Sequence, residues 1–202
     1  SCRLPGGVTT LDQLWTLLDE GREAITQVPP SRWDPARYHH PEPGHPSAMY
    51  TTRMGVVEDI EGFDGAFFGI SKREARHIDP QQRLLLELAW EACEAAGLPP
   101  SRLGRDPTGV FVGISSYDYA SWNLRTRGLG GIDAYTTTGN SMSVAAGRIA
   151  YTLGLEGPAM AVDTACSSSL VALHLACQSL RRGECEAALV GAPVTLPAAS
   201  EE

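Results

Sequence analysis

The stretch Ala159–Gly183, AMAVDTACSSSLVALHLACQSLRRG, decides how the rest of the chain is read. Ala159 to Val162 is an apolar run of strand length, and Asp163 to Ser169 is a cluster of small residues around Cys166. An apolar pattern from Leu170 to Leu180 follows, closed by Arg181, Arg182 and Gly183. Cations in a last turn complement the negative end of a helix, and glycine commonly stops one. Strand, sharp turn and helix is the arrangement that lifts a nucleophile clear of a sheet. A helix starting at Cys166 or Ser167 sets the sulfur at the positive end of the helix dipole, beside N–H groups with no intrahelical partner. That setting favours thiolate over thiol and supplies an oxyanion donor. Leu170, Val171, Leu173, Leu175, Ala176 and Leu180 cover most of the circumference. The spacing therefore predicts a helix buried through the middle of a domain, with Cys166 at the end of a tunnel.

The glycines of a GxSxG elbow are absent, and Ala165 and Ser167 flank the cysteine instead. Two readings stand on the residues alone: covalent acyl chemistry at Cys166, and a structural cysteine at a helix start. A serine hydrolase built on Ser167, Ser168 and Ser169 lacks both GxSxG and an acid–base partner, so these serines are read as caps or packing residues.

Composition bounds the partners. An apolar fraction of 43% and a charged fraction of 20% are those of an ordinary globular protein. The net charge of −8, without any Lys/Arg block, argues against nucleic acid and anionic lipid. No apolar run approaches the roughly 20 residues needed to span a bilayer, and the first residues lack the regions of a signal peptide. A cytoplasmic protein is expected, with no membrane partner. Cys2, Cys93, Cys166, Cys177 and Cys185 are an odd set without a C-x-x-C pair, which suggests neither a disulfide framework nor zinc. Cys93 and Cys177 lie among Leu and Ala on helical patterns and are read as buried small hydrophobes.

Upstream of the opening stretch, Ser141 to Leu153 reads as a helix, in which Ala145, Ala146 and Gly147 predict close approach of another backbone. Thr108 to Ser115, TGVFVGIS, is a buried strand bounded by turn residues, followed by a polar, glycine-rich loop from Ser116 to Gly131. Asp79-Pro80-Gln81-Gln82 supplies an N-cap, a proline at the first helical position and a reciprocal Gln contact, and Gly97 ends that helix. GFDGAFFGIS, from Gly62 to Ser71, pins a loop to the core through its rings, and Arg53 to Ile60 is an edge strand. Pro29 to Ser47 is too rich in proline for helix or central strand. His39, His40 and His45 on this loop have no nearby cysteine or carboxylate triad, so no metal is assigned. Thr10 and Gln13 make the spacing of a capping box ahead of Leu11, Leu14, Trp15 and Leu18, and Gly21 supplies a stop. Helix and strand alternate through Ala192, which is the pattern of an α/β domain. One domain accounts for residues 1–202.

The segment VDTACSSSLVALHLACQSLRRGE resembles the active-site segment of the β-ketoacyl synthase domain of modular type I polyketide synthases. CRLPGGV, FDGAFFGIS, DPQQRLLLELAWEA, TGVFVGIS and GRIAYTLGLEGPAMAVDTACSSS are similar to successive landmarks of that family, in the same order. The resemblance implies a thiolase-like fold, in which related α/β halves each place a mixed sheet between helices, with the nucleophile at the start of a buried helix. It implies that Cys166 accepts an acyl group from the phosphopantetheine arm of an acyl carrier protein, its own N–H serving as an oxyanion donor. A malonyl-type extender then decarboxylates and condenses with that thioester. It also implies a homodimer formed through Ala159 to Asp163, neighbouring synthase domains as further partners, and no bound cofactor.

In the family, two histidines in HGTGT-like and NxGH-like motifs stabilise the enolate formed on decarboxylation. Neither motif occurs here. His174 lies in the nucleophile helix and His77 precedes the DPQQR helix; neither matches a catalytic position, and Met142 is a candidate to line the acyl pocket. The chain also lacks the apolar strand expected before CRLPGG, and Pro193 to Glu202 departs from the family pattern. It is expected to be the N-terminal half of such a domain, carrying the nucleophile and unable to complete condensation alone. The alternative is a truncated, non-catalytic module serving dimerisation or carrier-protein docking.

Overall fold

The computed structural model describes residues 1–99 and 107–193, which fall into two compact units, Ser1–Ile60 and the residues from Glu61 onward. In the first unit, α1 (Leu11–Asp19) begins with the expected capping box. Gln13 N–H donates to Thr10 Oγ1 at 3.2 Å and the Gln13 side chain accepts from Thr10 N–H at 3.1 Å. Its predicted apolar stripe is open, with Leu11, Trp15 and Leu18 68%, 70% and 62% exposed. β1 (Ile25–Gln27) pairs antiparallel with β2 (Arg53–Gly55). The strand expected over Arg53–Ile60 thus stops at Gly55. Between them lies the short α2 (Pro35–Tyr38), which the proline-rich loop reading did not anticipate and which Asp34 caps. His40 stacks on His45 with ring centroids 3.8 Å apart, and His40 Nδ1 accepts from Glu42 N–H.

The second unit is layered. β3 (Thr108–Gly113) is the central strand of a three-stranded parallel sheet, flanked by β4 (Ala159–Val162) and β5 (Ala187–Gly191). Its side chains alternate between faces, as a strand must. Val110 and Val112 join the main core with Leu85, Leu86, Ala145, Ala146 and Ile149, whereas Phe111 turns to Ala172 and Ala176 on the other side. After the one-turn α3 (Lys72–Ala75), α4 (Pro80–Ala95) and α7 (Met142–Leu153) contribute the first layer, and α8 (Ser168–Arg181) the opposite one. Gly157 and Gly113 mark where backbones press together. A Cβ on Gly157 would stand 2.4 Å from the Thr108 carbonyl carbon.

Asp79 caps α4 and accepts from Gln81 N–H at 2.8 Å, with Pro80 at the first helical position, and the Gln81 side chain returns to Asp79. Burial pushes the Asp79 carboxyl up, against the lowering effect of the Gln81 hydrogen bonds. Phe63 and Phe68 pack on the core, and Phe67 meets Trp90 edge-on at 4.8 Å, as the pinning segment requires. Cys93 is buried and its thiol is pushed up by burial.

Three further expectations change. The loop over Ser116–Gly131 contains α5 (Asp118–Arg127), held by buried Tyr119, whose hydroxyl donates to Arg76 O at 2.7 Å. α6 (Ala134–Asn140) follows, capped by Asp133. Gly147 is exposed and a Cβ there would meet nothing within 4 Å, so no close approach is made at Gly147, whereas Ala145 and Ala146 are buried in the main core. The third change concerns α8, which is buried along one face. Ala172 and Ala176 are 0% and 2% exposed against the sheet, while Leu170 and Leu173 are 71% and 48% exposed. Pro193 is buried beyond the end of β5, and residues 194–202 lie outside the described residues.

No helix among the described residues is long and apolar enough to cross a membrane. The open leucines of α1 and α8 are apolar area that water does not tolerate well in bulk. The 202-residue polypeptide is therefore expected to associate in solution, and a monodisperse monomer by light scattering would count against it.

Candidate active site

The parallel pairing of β3 and β4 runs to Gly113 opposite Val162, and Ile114 N–H donates to Val162 O at 3.0 Å. The chain then leaves the sheet at Asp163 and turns sharply. Ala165 has φ 54°, in the left-handed region, which costs a non-glycine residue roughly 1–2 kcal/mol. Two side chains hold it there. Asp163 Oδ1 accepts from Ala165 N–H at 3.0 Å, and Ser168 Oγ donates to Ala165 O at 2.7 Å while accepting from Thr164 N–H at 2.9 Å. Ser167 Oγ donates to Thr164 O at 2.8 Å.

A 3₁₀ turn, Ala165–Ser167, leads into α8, so the regular helix begins two residues after Cys166 and not at it. The turn's bonds are donated by Ser167 N–H to Thr164 O and by Ser168 N–H to Ala165 O. The Cys166 N–H is outside them. Cys166 itself is exposed, so the predicted tunnel is not formed by the described residues. Close packing fixes the base of the turn. A Cβ on Gly113 would stand 2.6 Å from the Ser168 carbonyl carbon and 2.7 Å from its oxygen. Only glycine at the end of β3 lets the first turn of α8 sit this low over the sheet.

The remaining candidates lie apart from this turn or have structural work. His174 is exposed on α8. His77 is half-buried, with Nε2 3.4 Å from Asp133 Oδ2. Burial raises the pKa of that carboxyl, but the Tyr135 N–H, Arg73 and His77 outweigh it and hold the group below the usual carboxylate range. Met142 is 7% exposed in the main core. Sequence reasoning missed a polar network at the base of α4. Gln82 donates to Gly139 O and Ser141 O, and accepts from Arg148 Nε at 3.1 Å. Arg148 in turn pairs with Glu74 at 2.9 Å. The repeated glutamine was its only sequence signal.

A cysteine exposed on a strained turn between β4 and α8 fits the landmarks of a β-ketoacyl synthase, and the family model described as "Beta-ketoacyl synthase, N-terminal domain" matches residues 1–199. The chain belongs to the β-ketoacyl synthase family. A phenolphthiocerol/phthiocerol polyketide synthase from Mycobacterium tuberculosis is 54% identical over 190 residues, covering 94% of this synthase chain and 10% of that protein. An erythronolide synthase of Saccharopolyspora erythraea is 52% identical over 192 residues, covering 95% and 5%. Among solved structures, an oxazolomycin ketosynthase domain from Streptomyces albus superposes with a TM-score of 0.88 at 40% identity, over 98% of this chain and 34% of that one. The module 6 ketosynthase of the bacillaene synthase from Bacillus subtilis gives 0.80 at 38% identity, over 96% and 30%. The synthase chain thus has the thiolase-like ketosynthase fold, and spans about a tenth or less of the two curated polyketide synthases.

Proposed function

We propose that Cys166 is the acyl-accepting nucleophile of a polyketide ketosynthase, of which residues 1–202 form an N-terminal part. The observation that carries this reading is the exposed sulfur on the left-handed turn between β4 and α8, in a chain of this family. The Cys166 thiolate attacks the thioester carbonyl of an acyl group on the phosphopantetheine arm of an acyl carrier protein. A new C–S bond forms, the carrier's C–S bond breaks, and the proton lost by Cys166 goes to the departing phosphopantetheine thiol. The Cys166 N–H, outside the turn's own bonds, is a donor for the oxygen that becomes negative on the way. In the complete domain a malonyl-type extender then loses carbon dioxide and its carbon bonds to the acyl carbon. Cys166 leaves as thiolate, and one proton is taken up overall.

Acyl carrier protein, neighbouring synthase domains and a second copy are the partners of this reading, and the cytoplasm is its setting. β4 is an edge of the described sheet, with Met160 38% exposed. An unpaired edge is a template for another strand, which supports a homodimer through Ala159 to Asp163.

The test is to incubate the chain with hexanoyl N-acetylcysteamine thioester and to follow intact mass and peptide maps. One hexanoyl group on the Cys166 peptide is the expected result. Label spread over the cysteines, or none, overturns the nucleophile assignment and favours the non-catalytic module for dimerisation or carrier docking.

A further inference from the structure

A peptide unit is planar and trans, so the direction of its C=O fixes the direction of its N–H. The Cys166 N–H belongs to the same peptide unit as the Ala165 carbonyl, and that carbonyl is the group that Ser168 Oγ holds at 2.7 Å. The preceding unit, which carries the Ala165 N–H, is held by Asp163 Oδ1 at 3.0 Å. Both peptide units that flank left-handed Ala165 are therefore clamped by side chains, one on each side. Ser168 is 5% exposed, and its hydroxyl is committed to this turn: it donates to Ala165 O and accepts from Thr164 N–H.

Resting on the reading of Cys166 as acyl acceptor, we infer that Ser168 and Asp163 are positioning residues that aim the Cys166 N–H at the acyl oxygen. Neither touches the reacting atoms. Ser167, whose hydroxyl bonds to Thr164 and not to Ala165 among the described residues, is not part of the clamp. Because Ser168 N–H also donates to Ala165 O, loss of the hydroxyl loosens the peptide without releasing it.

Acylation and alkylation of the same sulfur separate this role from a structural one. Hexanoyl transfer from the N-acetylcysteamine thioester develops an oxyanion, whereas iodoacetamide alkylation does not. In Ser168→Ala and in Asp163→Ala, acylation of Cys166 is expected to slow about five- to tenfold, the worth of one net hydrogen bond. Alkylation is expected to stay within about twofold of the parent chain, since the sulfur's exposure is unchanged. Asp163→Asn keeps an acceptor oxygen at the same place and is expected to behave as the parent. By NMR, the Thr164 amide should exchange faster in Ser168→Ala than in the parent. Acylation unchanged in both alanine variants, or acylation and alkylation falling together, overturns the inference. A parent chain that takes no acyl group overturns the nucleophile assignment and the positioning inference that rests on it. In a parent chain that is acylated, unchanged protection of Thr164 in Ser168→Ala overturns the positioning inference alone.

Discussion

Replacing Cys166 with alanine is expected to abolish acyl labelling of the chain and to leave its unfolding midpoint within about 2 °C of the parent, as for other exposed substitutions. The two halves of this result have separate causes. Labelling goes because no other cysteine combines exposure with a turn that frees its own N–H. Cys93 and Cys185 are buried, and Cys2 and Cys177 are partly so. Stability stays because the exposed Cys166 side chain buries little area that folding would lose. Cys93→Ala should invert the outcome. That thiol is 2% exposed in the main core, so its loss leaves a small void worth about 1 kcal/mol, or roughly 2–4 °C. Labelling should be unaffected. Intact mass spectrometry and thermal unfolding of the two variants side by side make the test, and residual label on Cys166→Ala at the parent's level would defeat it.

The family landmarks in the sequence carried the fold class, and the elements within it were legible to different degrees. Where a local signal is self-contained, it could be read. Thr10 with Gln13, and Asp79 with Pro80, each satisfy backbone groups within one helical turn, and both structures form as the spacing predicts. The turn at Cys166 is equally local, built from Asp163 to Ser168. Its strain could not be read. Ala165 gives no sign of a positive φ, since alanine avoids that region unless its surroundings insist.

What was missed depends on partners distant in sequence. α5 has no apolar stripe, and its polar sequence reads as loop; Tyr119, anchored to Arg76 O forty-three residues earlier, keeps it in place. Gln82 reads as one of a pair of helix-start residues, yet its amide serves carbonyls at positions 139 and 141 and the guanidinium of Arg148. α8 misled in the opposite direction. Its leucines describe a helix buried all round, and the described residues cover only the Ala172 and Ala176 face. A hydrophobic pattern reports the burial a helix is built for, and the described residues leave Leu170 and Leu173 open.

Gly113→Ala is the substitution expected to strike fold and site together. The added methyl would stand 2.6–2.8 Å from the Ser168 carbonyl carbon, its oxygen and Ser169 N. These are backbone atoms and cannot rotate away, as the tip of a long side chain could. Either β3 or the first turn of α8 must move, and β3 is held between two strands. The turn is the softer partner, since its register rests on the hydroxyl of Ser168. Overpacking of this kind costs about 3 kcal/mol, near 6–12 °C for a chain of this size. Displacing the Cys166 N–H by a fraction of an ångström should slow acylation of the folded chain by about a hundredfold. Gly157→Ala separates the two effects. Its methyl would meet Thr108 C, Thr108 O and Gly109 N at 2.4–2.6 Å, where β4 begins and not where it delivers the cysteine. That variant should lose a similar amount of stability while its folded fraction acylates Cys166 at the parent's rate. Equal acylation rates in the two glycine variants, measured well below both midpoints, would show that the approach of Gly113 to Ser168 matters to the fold alone.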